Sequence, residues 1–216
     1  MTVQRFVSHY LSANCYLITE NGHAIVIDPC EEEILGEALR GAGELDFVLL
    51  THEHADHIFG VNWIRTAYGV PVICSEKCAM HLGNPRMNYS FYYETTKKLM
   101  RFLMEDDSST MAPFICSADR TFSTDEQLLW QGHRILAKLT PGHSQGGASY
   151  LLDGDQLFAG DSIFKDSKTI TRFKGGSDEE FQEQTLPWLR SLPTDVTVYP
   201  GHFSPFLLGE WTEWKG

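Results

Sequence analysis

The first hundred residues switch between two hydrophobic rhythms. "QRFVSHY" and "NCYLITE" are short runs with strand-like patterning, and Asn21-Gly22 marks a hairpin turn into "HAIVID", so three strands are predicted in succession. After Asp28-Pro29 the spacing changes. In "EEEILGEAL" the apolar residues Ile34, Leu35, Ala38 and Leu39 recur at helical intervals behind an acidic first turn. "DFVLL" then reads as a buried strand running up to Thr51. "HIFGVNWIRTAYG" puts Ile58, Val61, Ile64 and Tyr68 on one face of a helix that stops at Gly69, and "VPVICS" predicts the next strand.

The C-terminal part repeats this style. "HRILAKLT", "ASYLLDG" and "QLFAGD" predict strands, with a turn at Asp153-Gly154. "SDEEFQEQTLPWLRSL" predicts a helix that opens on a Ser177/Glu180 capping box and is kinked or interrupted at Pro187. "DVTVYPGH" is a last strand leading into a loop. Strands alternate with helices in both parts and several strands are half-apolar, which suggests helix, sheet, sheet and helix in layers. Residues 76–122, with the aromatic and methionine-rich stretch "MNYSFYYETTKKLMRFLM", are expected to form a mainly helical insertion or lid. No internal repeat interrupts the pattern, and residues 1–216 are read as one domain.

Composition narrows the class. Apolar residues make up 42% of the chain and charged residues 21%, enough for an ordinary core without staples. No apolar window approaches the length of a membrane span, so no membrane association is expected. The opening "MTVQRFVSHY" lacks a basic start followed by an apolar run, so no secretory signal is expected. With five cysteines, an odd number, and no CxxC, free thiols in a reducing cytosol are the simplest expectation. The formal net charge of -12 argues against nucleic acid as the main partner.

The chemistry concentrates in "THEHADHIFG", residues 51–60. A solvated histidine-rich loop or a metal site would both account for it. Three further positions decide between them. His143 in "LTPGHSQGG", Asp161 in "LFAGDS" and His202 in "VYPGHF" each follow a predicted strand, where loops converge and commonly carry function. Beside them, Gly142, Gly160 and Gly201 allow tight turns. Residues two apart in an extended chain face the same way, so His52 and His54 can grip one ion. Asp56 and His57 begin the next helix and diverge around it, toward a second ion. The favoured allocation is His52, His54, His143 and Asp161 on one cation, and Asp56, His57, His202 and the shared Asp161 on the other.

In this order the motifs resemble the metallo-β-lactamase superfamily, whose HxHxDH signature stands here as His52-Glu53-His54-Ala55-Asp56-His57. "VIDPC", "TPGHSQGGASYLL", "FAGDSIF" and "VYPGH" extend the likeness over nearly the whole chain apart from the insertion. The resemblance implies an α/β (α+β) fold, a four-layer αββα sandwich with metals at one edge and Asp28 supporting the ligand loops. A carboxylate at Asp161, together with "TITRFKGGSDEEF", is similar to the glyoxalase II-like branch. The implied activity is hydrolysis of a thioester, ester or lactone in a small-molecule substrate. Two divalent cations, zinc or else iron or manganese, would bridge a water and lower its pKa toward roughly 7, so that it serves as hydroxide. Asp161 would hold the pair together and Asp56 would orient the hydroxide. The rival readings are a mononuclear iron persulfide dioxygenase, which elemental analysis and oxygen uptake would reveal, and a nuclease of the same superfamily.

Other residues have blander expectations. His9, His23, His81 and His133 are read as surface or turn residues, Cys30 as packed although a thiol there stands near the metals, and Ser144 as a hydrogen-bonding turn residue rather than a nucleophile. Lys97, Lys98 and Arg101 suggest a solvated helix face before an anion site. Tyr89, Phe91, Tyr92 and Tyr93 suit a pocket wall, core packing or a homodimer contact equally well.

Overall fold

Several strands of this protein are apolar on both faces, and that dictates layers on both sides of each sheet. The computed structural model describes residues 1–100 and 109–212. The first sheet runs in chain order through β1 (Thr2–Val7), β2 (Asn14–Glu20), β3 (His23–Ile27), β4 (Glu44–Leu49), β5 (Val72–Ser75) and β6 (Arg120–Phe122). The first three pair antiparallel, whereas β3 to β6 are parallel neighbours. The second sheet comprises β7 (Glu126–Trp130), β8 (His133–Leu139), β9 (Ala148–Leu152), β10 (Gln156–Gly160), β11 (Thr197–Pro200) and β12 (Phe206–Leu207), again neighbouring in chain order.

The two-residue period of a strand sorts these side chains between layers. Tyr16, Ile18, Ile25 and Ile27 turn inward and meet Ile135, Tyr150, Leu152 and Phe158 of the second sheet. Their chain neighbours Cys15, Leu17, Ala24 and Val26 turn outward, against α1 (Glu32–Gly41), α3 (Val61–Tyr68) and α4 (Glu76–Leu82). On the opposite flank Leu151, Leu157 and Val198 pack against Phe181, Leu186 and Leu189. The result is the expected αββα sandwich. Two buried polar contacts join the sheets near the functional edge: Tyr150 donates to Leu50 O at 2.7 Å, and Ala148 N donates to Thr51 O at 2.8 Å.

Some elements differ from the sequence expectation. The single helix expected from "HIFGVNWIRTAYG" is two helices, α2 (Ala55–Ile58) and α3, broken at Phe59-Gly60. Gly60 N donates to Pro29 O at 3.0 Å, and a side chain there would strike the Cys30 carbonyl. The Ser177 cap is half a box. Its hydroxyl accepts from Glu180 N at 3.1 Å, but Ser177 N donates to Gly142 O at 2.8 Å instead of receiving Glu180. That helix starts as α6 (Asp178–Glu180), widens into a π segment over Phe181–Thr185, and resumes as α7 (Leu186–Ser191). The widened turn immediately precedes Pro187, which has no N–H to offer.

Within 76–122 the described residues form α4, a 3₁₀ turn at Ser90–Tyr92 and α5 (Tyr93–Leu99), followed by irregular chain from 109. Arg120–Phe122 is not helical. It is the edge strand β6 paired with β5, so the helical segment ends before 120. Strand β7 was not marked by the sequence pattern, because the adjacent Leu128 and Leu129 blur the alternation and Leu129 is 75% exposed.

Candidate metal centre

Five strand ends deliver the polar residues to one edge of the sandwich. Asp28 follows β3 and Thr51 to His54 follow its parallel neighbour β4. Asp161 follows β10 and His202 follows β11, a second parallel pair, so their loops leave at the same edge. His143 comes from the loop between β8 and β9. The short helix α2 then carries Asp56 and His57.

All seven residues meet there, each buried to 9% exposure or less. His52, His54 and His143 bring one nitrogen apiece within 4.8 Å of one another, and Asp56, His57 and His202 form a second such triad. His54 Nδ1 lies 3.0 Å from His143 Nε2. Asp161 sits between the triads. Its Oδ2 is 3.4 Å from His143 Nε2 and 3.5 Å from His202 Nε2, and its Oδ1 is 3.5 Å from His57 Nε2. His52 Nε2, His57 Nε2 and Asp161 Oδ1 are buried with no hydrogen-bond partner. Such orphaned polar atoms are costly unless something else satisfies them. An all-imidazole triad, a mixed triad and a central carboxylate are the donor set of a two-cation site, and the residues present fit one.

The surroundings hold these ligands by their far sides. Asp28 accepts from Thr51 N at 2.7 Å, from Thr51 Oγ1 at 2.6 Å and from His57 Nδ1 at 3.0 Å. That bond leaves His57 Nε2 free to face the centre. His143 Nδ1 donates to Ile170 O at 2.8 Å. The His202 loop is anchored by β2: Asn14 Nδ2 donates to Pro200 O and Phe203 O, and the Tyr16 hydroxyl donates to Pro200 O at 2.6 Å.

Glu53, between two ligand histidines, was not singled out by the sequence. It is 2% exposed, accepts from His81 Nδ1 at 2.9 Å and from Ser144 Oγ at 3.1 Å. Gly146 makes room for it, since a Cβ there would strike the Glu53 carboxylate. Thus one carboxylate ties the HxHxDH loop to α4 and to the His143 loop. His81, expected at the surface, has this partner. Ser144 is the hydrogen-bonding residue expected. The sequence did carry one signal, an acid in a strand-end motif where both neighbours had been assigned to a metal.

The buried groups shift one another's protonation. Burial, then the neighbouring His57 and His54, push the His52 imidazole well below its ordinary range. His54 falls to about 4, through burial and then His143. Burial also disfavours a charged His202, but Asp161 and Asp56 more than reverse this and lift it to about 10. Burial raises the Asp161 carboxyl, yet His202, His57 and His143 carry it well below the usual range.

The remaining candidates fall elsewhere. Cys30 is 1% exposed and packs in the core on the outer face of the first sheet. The aromatic run divides: Tyr89 stands beside His54, Tyr93 is buried, and Phe91 is 48% exposed. Lys97 belongs to no solvated face, because it is buried and donates to Ser109 O at 2.8 Å, while Lys98 is exposed and Arg101 lies outside the described residues. His23 pairs with Asp46 and His133 with Asp153.

An αββα sandwich carrying such a donor set at one edge defines a metallo-hydrolase fold. The chain belongs to the metallo-beta-lactamase superfamily, whose family model matches residues 10–202. It is 30% identical over 206 residues to a probable metallo-hydrolase of Streptococcus pyogenes serotype M6, covering 94% of this chain and 84% of that protein. It is 29% identical to BaeB of Bacillus velezensis, a probable polyketide biosynthesis zinc-dependent hydrolase, over 90% of this chain and 75% of the relative. A hydroxyacylglutathione hydrolase of Bartonella henselae is 29% identical over 84% of this chain, which spans 58% of that enzyme. The fold superposes on the crystal structure of the B3 metallo-beta-lactamase BLEG-1 with a TM-score of 0.84 at 24% identity, covering both chains fully. No helix among the described residues is long and apolar enough to cross a membrane.

Proposed function

We propose that this protein is a metal-dependent hydrolase that cleaves a thioester, ester or lactone in a small-molecule substrate. In this reading His52, His54, His143 and Asp161 hold one divalent cation, and Asp56, His57, His202 and Asp161 hold the second. Zinc suits these nitrogen and oxygen donors, as do iron and manganese. The zinc-dependent hydrolase named among the relatives supports zinc first. The observation that carries the reading is the position of Asp161, with one oxygen or the other 3.4–3.5 Å from an imidazole of each triad.

Bound cations of this kind lower the pKa of water toward about 7 and polarise a carbonyl oxygen. The chain supplies the rest. Asp28 fixes the His57 tautomer, and Ile170 O does the same for His143. Asp56 lines the cleft beside Asp161, where its carboxylate can orient the attacking water. No serine or cysteine nucleophile is required: the Ser144 hydroxyl is committed to Glu53. The net charge of -12 weighs against a nucleic acid substrate. Five free cysteines suit a reducing cytosol.

Elemental analysis of the purified protein, followed by a screen of thioesters, esters and lactones, tests the proposal. About two cations per chain are expected, and Asp161→Ala should lose most of the metal and nearly all hydrolysis. Full hydrolysis by protein stripped of cations would overturn it.

A further inference from the structure

Above the two triads lies a narrow cleft with about 30 Å³ of space open to water, walled by Leu11, Tyr89, Thr96, Met100 and Phe173. Tyr89 adopts φ 66°, the left-handed region that a bulky side chain rarely occupies. Such a conformation costs on the order of 1–2 kcal/mol and persists only where the surroundings impose it.

Its two neighbours impose it. Asn88 and Ser90 are 0% and 1% exposed, and both commit their polar atoms to main chain. Asn88 Nδ2 donates to Phe114 O at 2.9 Å and to Leu82 O at 3.2 Å, while its Oδ1 accepts from Ser90 N at 2.9 Å. Ser90 Oγ accepts from Phe114 N at 3.0 Å and donates to Phe114 O at 3.2 Å. This clamp aims the one residue between them at the metal edge. The Tyr89 ring stands edge-on to His54, centroids 4.8 Å apart. Its hydroxyl donates to Lys174 O at 3.2 Å. Phe173, next to that carbonyl, packs 5.6 Å from Tyr89 and 5.7 Å from both His54 and His143. Two distant segments thus close an aromatic pair over one imidazole triad.

Apart from the ligand residues, no side chain among the described residues that line this cleft carries a charge. We infer that the cleft selects a short, uncharged, apolar acyl group packed against the paired rings of Tyr89 and Phe173, and that Tyr89 is a specificity-determining residue. This rests on the hydrolase reading and names the substrate class of that site. Each methylene buried against the rings should improve kcat/KM about fourfold. An acyl group ending in a free carboxylate would be desolvated without a partner.

The test uses metal-loaded protein, p-nitrophenyl esters and the matching thioesters from acetyl to butyryl, and the hemisuccinyl ester. Binding of butyrate and succinate is followed separately by calorimetry, with metal content and thermal midpoint as controls. Wild type should gain about fourfold per methylene and reject the hemisuccinyl ester by at least about a hundredfold. Tyr89→Ala should flatten the length series, mainly through KM, and weaken butyrate binding about tenfold. Tyr89→Phe should keep the preference, and Phe173→Ala should reproduce Tyr89→Ala if the latter fails to fold. If esters are cleaved without regard to chain length or charge, or if succinate binds as tightly as butyrate, the inference is overturned and the hydrolase reading stands. If butyrate binds in a Tyr89-dependent way but no ester or thioester is cleaved, the inference stands and the hydrolase reading falls. If neither binding nor cleavage depends on Tyr89 or Phe173, the inference is overturned.

Discussion

Replacing Glu53 tests whether the ligand loops are held from behind. In Glu53→Ala the Ser144 hydroxyl, 1% exposed, loses its acceptor inside the protein. An unsatisfied buried donor costs about 1–3 kcal/mol. His81 is only partly buried, so water can replace the lost bond there at smaller cost. The one buried methylene lost with the carboxylate adds about 1 kcal/mol. The expected loss is about 2–4 kcal/mol, or a fall of about 4–16 °C in the thermal midpoint for a chain of this size. Glu53→Gln keeps the shape. Its carbonyl can accept from His81 and its amide can donate to the rotated Ser144 hydroxyl, so the cost should be about 1 kcal/mol or less. Because Glu53 touches both neighbouring loops, Glu53→Ala should also weaken cation binding about 10–100-fold. Urea unfolding and competition against a chelator read the two effects. A double-mutant cycle with Ser144→Ala should return a coupling of at least about 0.5 kcal/mol. Glu53→Ala within about 0.5 kcal/mol of wild type, with unchanged chelator competition, would refute the reasoning.

Three further outcomes follow from the same geometry. Gly201→Ala places a Cβ against Asp161 Oδ1 and His57, so cation stoichiometry should drop while the far-ultraviolet circular dichroism stays unchanged; retention of both ions would contradict the packing. In cation-stripped protein the folded His202 pKa of about 10 lies above its unfolded value of about 6.5. A raised value means that the stabilisation is complete below about pH 6.5 and is lost as pH rises toward 10, so urea midpoints of the stripped protein should fall across that window; a flat or rising profile would refute the pairing of His202 with Asp161 and Asp56. Asn14→Ala removes donors to Pro200 O and Phe203 O and should cost about 1–3 kcal/mol, with the loss of cation affinity larger than in a control substitution on β7; equal effects would show that Asn14 does not anchor the His202 loop.

Much of this was legible beforehand because the hydrophobic periods were clean. The strands that lead to the site, β2 to β4 and β8 to β11, are apolar runs bounded by turns, and each candidate ligand stands directly after one or at the start of the next helix. The failures share a cause: they depend on distant partners. The break at Gly60 is set by carbonyls of Pro29 and Cys30, thirty residues earlier. Strand β6 is three residues long and exists only because β5 offers it an edge. Glu53 looked like one more charge beside histidines, and its partners His81 and Ser144 lie 28 and 91 positions away. Tyr89 was one aromatic among several, and nothing local distinguishes it from Phe91 until Asn88 and Ser90 are seen gripping Phe114.

Strand β2 has a further consequence for how the chain finds its alignment. Cys15 and Leu17 on one face, and Tyr16 and Ile18 on the other, are all greasy, so sliding the strand by one position would merely exchange two oily sets. Oil alone is a poor ruler here. The bonds from Asn14 and the Tyr16 hydroxyl to Pro200 exist in one alignment only, and they break the tie. Because Pro200 leads directly into His202, the contact that rejects the slipped sheet also sets out the last imidazole of the cluster. Accuracy of folding and readiness for chemistry are therefore secured by the same pair of side chains.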